Sequence, residues 1–93
     1  MNIKVGDRVV LKTLQRVQKE WEDKIVENTQ YRISIKMNPH GRDRFSIVKN
    51  MYKVFGEPIV VESISHTNDG FIRYQYDGYW YDSSFIQTKK INK

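Results

Sequence analysis

Two histidines, no cysteine and a scatter of acidic side chains are the raw material for catalysis or metal binding in this 93-residue chain. His40 and His66 lie far apart, with no His-x₃-His spacing and no thiolate to help, so the three or four ligands of a metal site are not assembled. Both read as surface residues. The glycines at 6, 41, 56, 70 and 78 stand singly, and neither GxGxxG nor a P-loop occurs to cradle a phosphate. Ser83 and Ser84 belong to no nucleophile elbow, while the nearby Asp77 and Asp82 serve a turn and a strand end. Glu57 and Glu62 could in principle share acid/base work, but nothing brings them to one cleft. The expectation is a protein that is not an enzyme and needs no cofactor or metal.

Binding is the chemistry for which the chain is equipped. Seven of its twelve aromatic residues fall between Phe71 and Phe85. Two placements are open. If the tyrosines of this stretch complete the core, their hydroxyls reach the rim and Trp80 packs on Phe85. If one face stays open, Tyr74, Tyr76, Tyr79, Trp80 and Tyr81 form a platform for a disordered or proline-rich peptide, a partner protein or unstacked bases. So short a chain does not easily bury both faces of a hairpin, which favours exposure of at least two of the five.

The second binding candidate is basic. Pro39-His40-Gly41-Arg42-Asp43-Arg44 is a loop, and Lys49 and Lys53 follow it. Guanidinium groups grip phosphate or carboxylate in a bidentate way, so Arg42, Arg44, Lys49 and Lys53 suit a nucleic acid or an acidic protein equally. The net charge of +5 is uneven: residues 28–53 hold six basic and one acidic side chain, residues 54–88 one basic and five acidic. Lys89, Lys90 and Lys93 form a solvated tail.

The elements that must position these residues follow from periodicity. Residues 8–12 are β-branched and apolar, a strand. Leu14, Val17, Trp21 and Ile25 recur at helical steps, which predicts a helix over about 14–27, N-capped by Thr13 and stopped by a left-handed Asn28. Residues 31–37 alternate apolar and polar, a half-buried strand. Pro39 and Gly41 end it. Phe45, Val48, Met51, Tyr52 and Phe55 then suggest a short helix capped by Gly56. Residues 59–64 and 71–76 are strands joined by the turn at 67–70. Asp77-Gly78 is a type I′ turn signal, so Tyr76 faces Tyr79, Gln75 faces Trp80, Tyr74 faces Tyr81 and Arg73 faces Asp82. The four tyrosines then share one face, and residues 83–86 make a closing turn.

Val5-Gly6-Asp7-Arg8-Val9-Val10, then Phe45, Met51-Tyr52, Gly56 and Ile59-Val60-Val61, and finally Asp77-Gly78-Tyr79-Trp80-Tyr81-Asp82 with Phe85-Ile86, resemble the small SH3-like β-barrel proteins of bacteriophages and prophages of low-GC bacteria. The order of features agrees over roughly the whole chain; the helix and strand between Leu14 and Met37 are an insertion. The fold expected is α+β, a small SH3-like antiparallel β-barrel with an inserted amphipathic helix (about 14–27) and an extra strand (about 31–37). Residues 1–88 form a single domain and 89–93 a basic tail. The resemblance implies a non-enzymatic module of a phage or mobile element that docks on a host or phage protein complex, inhibition of a host nuclease or defence system being one form. The residues leave nucleic-acid binding open as the alternative, with the basic loop on phosphates and the hairpin aromatics on bases. No apolar run approaches the ~20 residues of a membrane span. A soluble monomer in the cytoplasm of the bacterial host is the expectation, and the lack of cysteine suits that reducing compartment.

Overall fold

The computed structural model describes residues 3–37, 44–68 and 70–87. Strand β1 (Arg8–Val10) leads into helix α1 (Leu14–Glu20), where the Thr13 hydroxyl accepts the Arg16 N–H at 3.2 Å as the N-cap. The helix then departs from its expected length. It stops at Glu20, and one 3₁₀ turn (Glu22–Lys24) passes into strand β2 (Ile25–Asn28). Ile25 and Val26 are β-branched, and pairing with a neighbouring strand satisfies their backbone and packs Ile25 against the core, outweighing a third helical step. Asn28 ends a strand rather than capping a helix; Asp77 is the one non-glycine residue with positive φ among the described residues. Val17 alone is fully buried on α1, with Leu14, Trp21 and Ile25 half-buried against the core.

Strand β3 (Arg32–Lys36) occupies the alternating segment, pairing with β2 on one side and β4 (Arg44–Val48) on the other. Ser34 is buried as well as Ile33 and Ile35, so this strand is covered at its centre on both faces instead of being half-buried throughout. The short helix expected from Phe45 is a strand first and a helix only afterwards, at α2 (Lys49–Tyr52). Arg44-Phe45-Ser46-Ile47 is itself a period-two pattern, and its inward Phe45 and Ile47 are buried opposite Ile35 and Ile33. Lys53, not the expected Gly56, is the C-cap of α2, and Gly56, at φ +88°, ends the turn that follows.

The segment expected as a single strand over 59–64 breaks in two. β5 (Pro58–Val60) pairs with β1, and β6 (Ser63–His66) pairs with β7 (Ile72–Tyr76). The buried Val61 and the Glu62 N–H, which donates to the Gln75 carbonyl at 2.9 Å, carry the chain from one sheet into the next. β7 and β8 (Tyr79–Asp82) form the expected hairpin, pair for pair, with φ of +54° at Asp77 and +82° at Gly78. The chain closes with a 3₁₀ turn (Ser83–Phe85) and a bridge from Ile86 back to Leu11.

The architecture is α+β with mostly antiparallel strands: sheets β1–β5, β2–β3–β4 and β6–β7–β8 surround one core. No closed barrel is found among the described residues. At the centre, Phe85 meets Phe45 and Phe55 with ring centroids 5.2 and 5.7 Å apart, and Phe55 meets Tyr81 edge-on at 5.8 Å. Trp80 is not in that cluster, contrary to the core placement considered for it, because β8 turns it to the opposite sheet face from Tyr79 and Tyr81.

Candidate functional site

The hairpin puts four tyrosines on one face, and that face points inward. Tyr74 and Tyr81 are 6% and 0% exposed, core residues that no ligand reaches. Tyr76 and Tyr79 are half-buried against the core, and the Tyr79 hydroxyl accepts a hydrogen bond from Asn50 Nδ2 at 2.9 Å. Trp80 is half-buried on the outer face beside Gln75. Of the five, Tyr74 and Tyr81 are closed off in the core, while Tyr76, Tyr79 and Trp80 keep part of their surface in solvent. The reason is area: the inner face of β7–β8 is part of the apolar wall that closes the core.

The same outer face carries one buried charge. Asp82, 2% exposed, accepts from the Ser84 N–H at 3.0 Å and the Ser84 hydroxyl at 2.6 Å, with Arg73 Nε at 3.5 Å. The Arg73 guanidinium lies 4.9 Å from the Phe45 ring centroid. The Ser84 contacts fasten the end of β8 to the closing turn, and Arg73 ties that end to β7 and β4.

Of the four basic residues expected to act together, the three described ones do not form one cluster. Arg42 lies outside the described residues, as do His40 and the tail lysines. Arg44 opens β4 and Lys49, the first residue of α2, follows its far end, roughly 16 Å away at ~3.3 Å per residue. Lys53 is exposed at the end of α2. What the fold does bring together is a different set on the outer face of the β2–β3–β4 sheet, where Arg32, Ser34 and Lys36 line up across from Val48, Ser46 and Arg44.

At one end of that face stands Tyr31, 63% exposed. Its backbone is fixed on both sides: its N–H donates to Thr29 Oγ1 at 3.1 Å, and its carbonyl accepts the Lys49 N–H at 2.9 Å. Thr29 Oγ1 also accepts the Arg32 N–H at 3.1 Å, and the Tyr52 hydroxyl donates to the Thr29 carbonyl at 3.2 Å. The Lys49 ammonium sits 5.8 Å from the Tyr31 ring centroid. An exposed aromatic on a pinned turn loses little entropy on contact, the property of an interface anchor.

In the middle, Arg32 grips Glu27 through both guanidinium edges, Nε to Oε1 at 3.0 Å and Nη2 to Oε2 at 3.1 Å, and the Ser34 hydroxyl donates to Oε1 at 3.3 Å. The Arg32 hydrogen bonds hold the Glu27 carboxyl below the usual carboxylate range, with Ser34 and the field of Arg44 adding to the effect. At the far end Lys36 and Arg44 are direct cross-strand partners. Neither has an ion pair among the described residues.

Three open grooves converge on β2. One of about 480 Å³ is lined by Gln15, Gln18, Lys19, Glu22, Ile25 and Asn28. A second of about 440 Å³ is lined by Glu27, Thr29, Tyr31, Arg32 and Val48, and a third of about 210 Å³ by Asp23, Lys24, Val26 and Lys36. Val26 is 47% exposed where the β2–β3 register shifts. No group of three potential metal ligands occurs among the described residues, and no helix among them is long and apolar enough to cross a membrane.

Sequence reasoning missed Tyr31, Arg32, Lys36 and Val26 as surface features. The signal for Arg32 and Lys36 was present in the polar positions of the alternating segment, two and four residues on the same strand face. Tyr31 follows the same alternation as an inward residue, and only the turn that begins before β3 rotates it outward. No protein-family model matches the chain, and neither a curated protein nor a solved structure matches it.

Proposed function

We propose that the chain is a non-enzymatic docking module with an SH3-like fold, built to bind a partner protein through the outer face and β2 edge of the β2–β3–β4 sheet. The observation that carries this reading is the placement of Tyr31: a large aromatic, mostly exposed, held rigidly in an open groove between Arg32 and Lys49. Apolar anchors of this type, set among arginines and polar rim groups, are what protein interfaces use. The grooves around it are shallow and open, a shape suited to a surface rather than to an enclosed small substrate.

The SH3-like reading is supported by the strand that bends at Val61-Glu62 to serve two sheets, by the Leu11–Ile86 bridge and by the terminal 3₁₀ turn. The resemblance to phage and prophage proteins makes a host or phage protein complex the partner, with blockade of a host nuclease or defence system as one concrete form. Affinity capture from host lysate tests the reading. The expected result is a partner retained after nuclease treatment by the wild-type chain and lost with Tyr31→Ala. Capture that disappears with nuclease, or survives Tyr31→Ala unchanged, overturns it.

A further inference from the structure

Resting on the docking reading, and specifying what its partner presents, we infer that the outer face of the β2–β3–β4 sheet takes an extended acidic segment of the partner protein. An apolar residue of that segment sits on Val26, and its carboxylates reach Lys36 and Arg44. The first ground is the cross-strand pair itself. Directly opposed residues hold their Cβ atoms about 4.5–5.5 Å apart, and like charges there destabilise a sheet. Lys36 faces Arg44 in this position. No carboxylate relieves them among the described residues. Glu27 feels the field of Arg44 but accepts its hydrogen bonds from Arg32 and Ser34. A pair that costs stability when free gains it when a carboxylate arrives from outside.

The second ground is the groove beside the pair. Asp23, Lys24, Val26 and Lys36 line it, and Val26 is its exposed apolar residue.

Charge decides between an acidic protein and a nucleic acid. The cations of this face are interrupted by Glu27 at its centre and bordered by Glu22 and Asp23, so a backbone with a phosphate at every nucleotide meets carboxylates along its track. Discrete acidic side chains spaced by apolar ones meet Lys36, Arg44 and Val26 without that repulsion.

The test uses three labelled probes on the full chain: a short peptide alternating Glu and Val, polyglutamate of the same length, and an oligothymidylate of equal charge. Binding is read by fluorescence anisotropy, and the site by amide chemical-shift mapping. The alternating peptide is expected to bind most tightly, shifting residues 24–28 and 36. Lys36→Gln with Arg44→Gln should weaken it by at least about tenfold, and Val26→Ser by about threefold or more. Arg44→Glu places opposite charges across the pair, so its thermal midpoint should equal or exceed that of the wild type while peptide binding is lost. That variant separates loss of the site from loss of the fold. Tighter binding of the oligothymidylate, affinity unchanged in the double variant, or retention of the peptide by Arg44→Glu would each overturn the inference. Failure of the peptide on a chain that still captures its partner through Tyr31 would reject the acidic segment alone.

Discussion

Tyr81→Phe should make this protein more stable. The Tyr81 ring is fully buried and packs edge-on against Phe55, and its hydroxyl has no hydrogen-bond partner among the described residues. A buried polar group left unpaired costs about 1–3 kcal/mol in lost hydration. Removing the oxygen recovers that cost and leaves a void of roughly one atom, worth about 0.3 kcal/mol at ~24 cal/mol per Å³. The net gain is about 1 kcal/mol, or a rise in Tm of roughly 4–8 °C for a domain of this size. Urea unfolding followed by tryptophan fluorescence measures it as a higher midpoint with an unchanged slope.

The pH profile supplies an independent arm. Burial, reinforced by the charges of Asp77, Tyr76 and Tyr79, pushes the Tyr81 phenol up to about 12. The folded state therefore keeps this proton where the unfolded chain, titrating near 10, has released it. Stability contributed by the neutral phenol is intact below pH ~10 and falls as pH rises towards ~12, by at most about 2–3 kcal/mol. Tyr81→Phe should remove most of that slope, leaving the smaller part due to Tyr74 and Tyr52, both also raised by burial. A loss of 1 kcal/mol or more at neutral pH, with the alkaline slope retained, would show that the hydroxyl is satisfied and refute the reasoning.

Gly78→Val should destabilise by about 1–2 kcal/mol through backbone strain alone, because Gly78 holds φ +82° and a Cβ there meets nothing within 4 Å; equal urea midpoints for variant and parent would contradict the turn. Asp82→Ala removes the cap of the closing turn and strands the half-buried Arg73, so a loss of about 2–4 kcal/mol is expected in thermal unfolding, with Asp82→Asn milder. Trp21→Ala should cost about 2 kcal/mol, less than a fully buried tryptophan would, since the ring is half-buried against the core. Tyr31→Ala should leave stability within about 0.5 kcal/mol while abolishing partner capture, a split that a structural tyrosine would not produce.

The register of β7 and β8 was readable from Asp77-Gly78 because a two-residue turn leaves one way to pair the flanking strands. The N-cap at Thr13 and the alternation of β3 were equally local. The end of α1 was not, because Ile25 satisfies a helical step and a strand position alike, and only β3 lying alongside selects the second. Phe45, Ile47 and Val48 posed the same ambiguity between periods of two and 3.6 at the start of β4. The candidate site was less visible still. Arg44 was picked out with Lys49 and Lys53 because they are near in sequence, yet a strand of five residues carries its two ends to opposite ends of a sheet.

By itself the amino-acid sequence determined an α+β chain with an aromatic hairpin of known register, one tyrosine face and charges divided between its two halves. Local geometry and side-chain period are properties of a few neighbouring residues, so they survive without the rest of the molecule. The tertiary structure alone decided that the tyrosine face is core, that Tyr31 stands out in solvent and that Lys36 confronts Arg44. Those outcomes depend on which sheet covers which, and burial is settled by the competition of all apolar surfaces for a single interior.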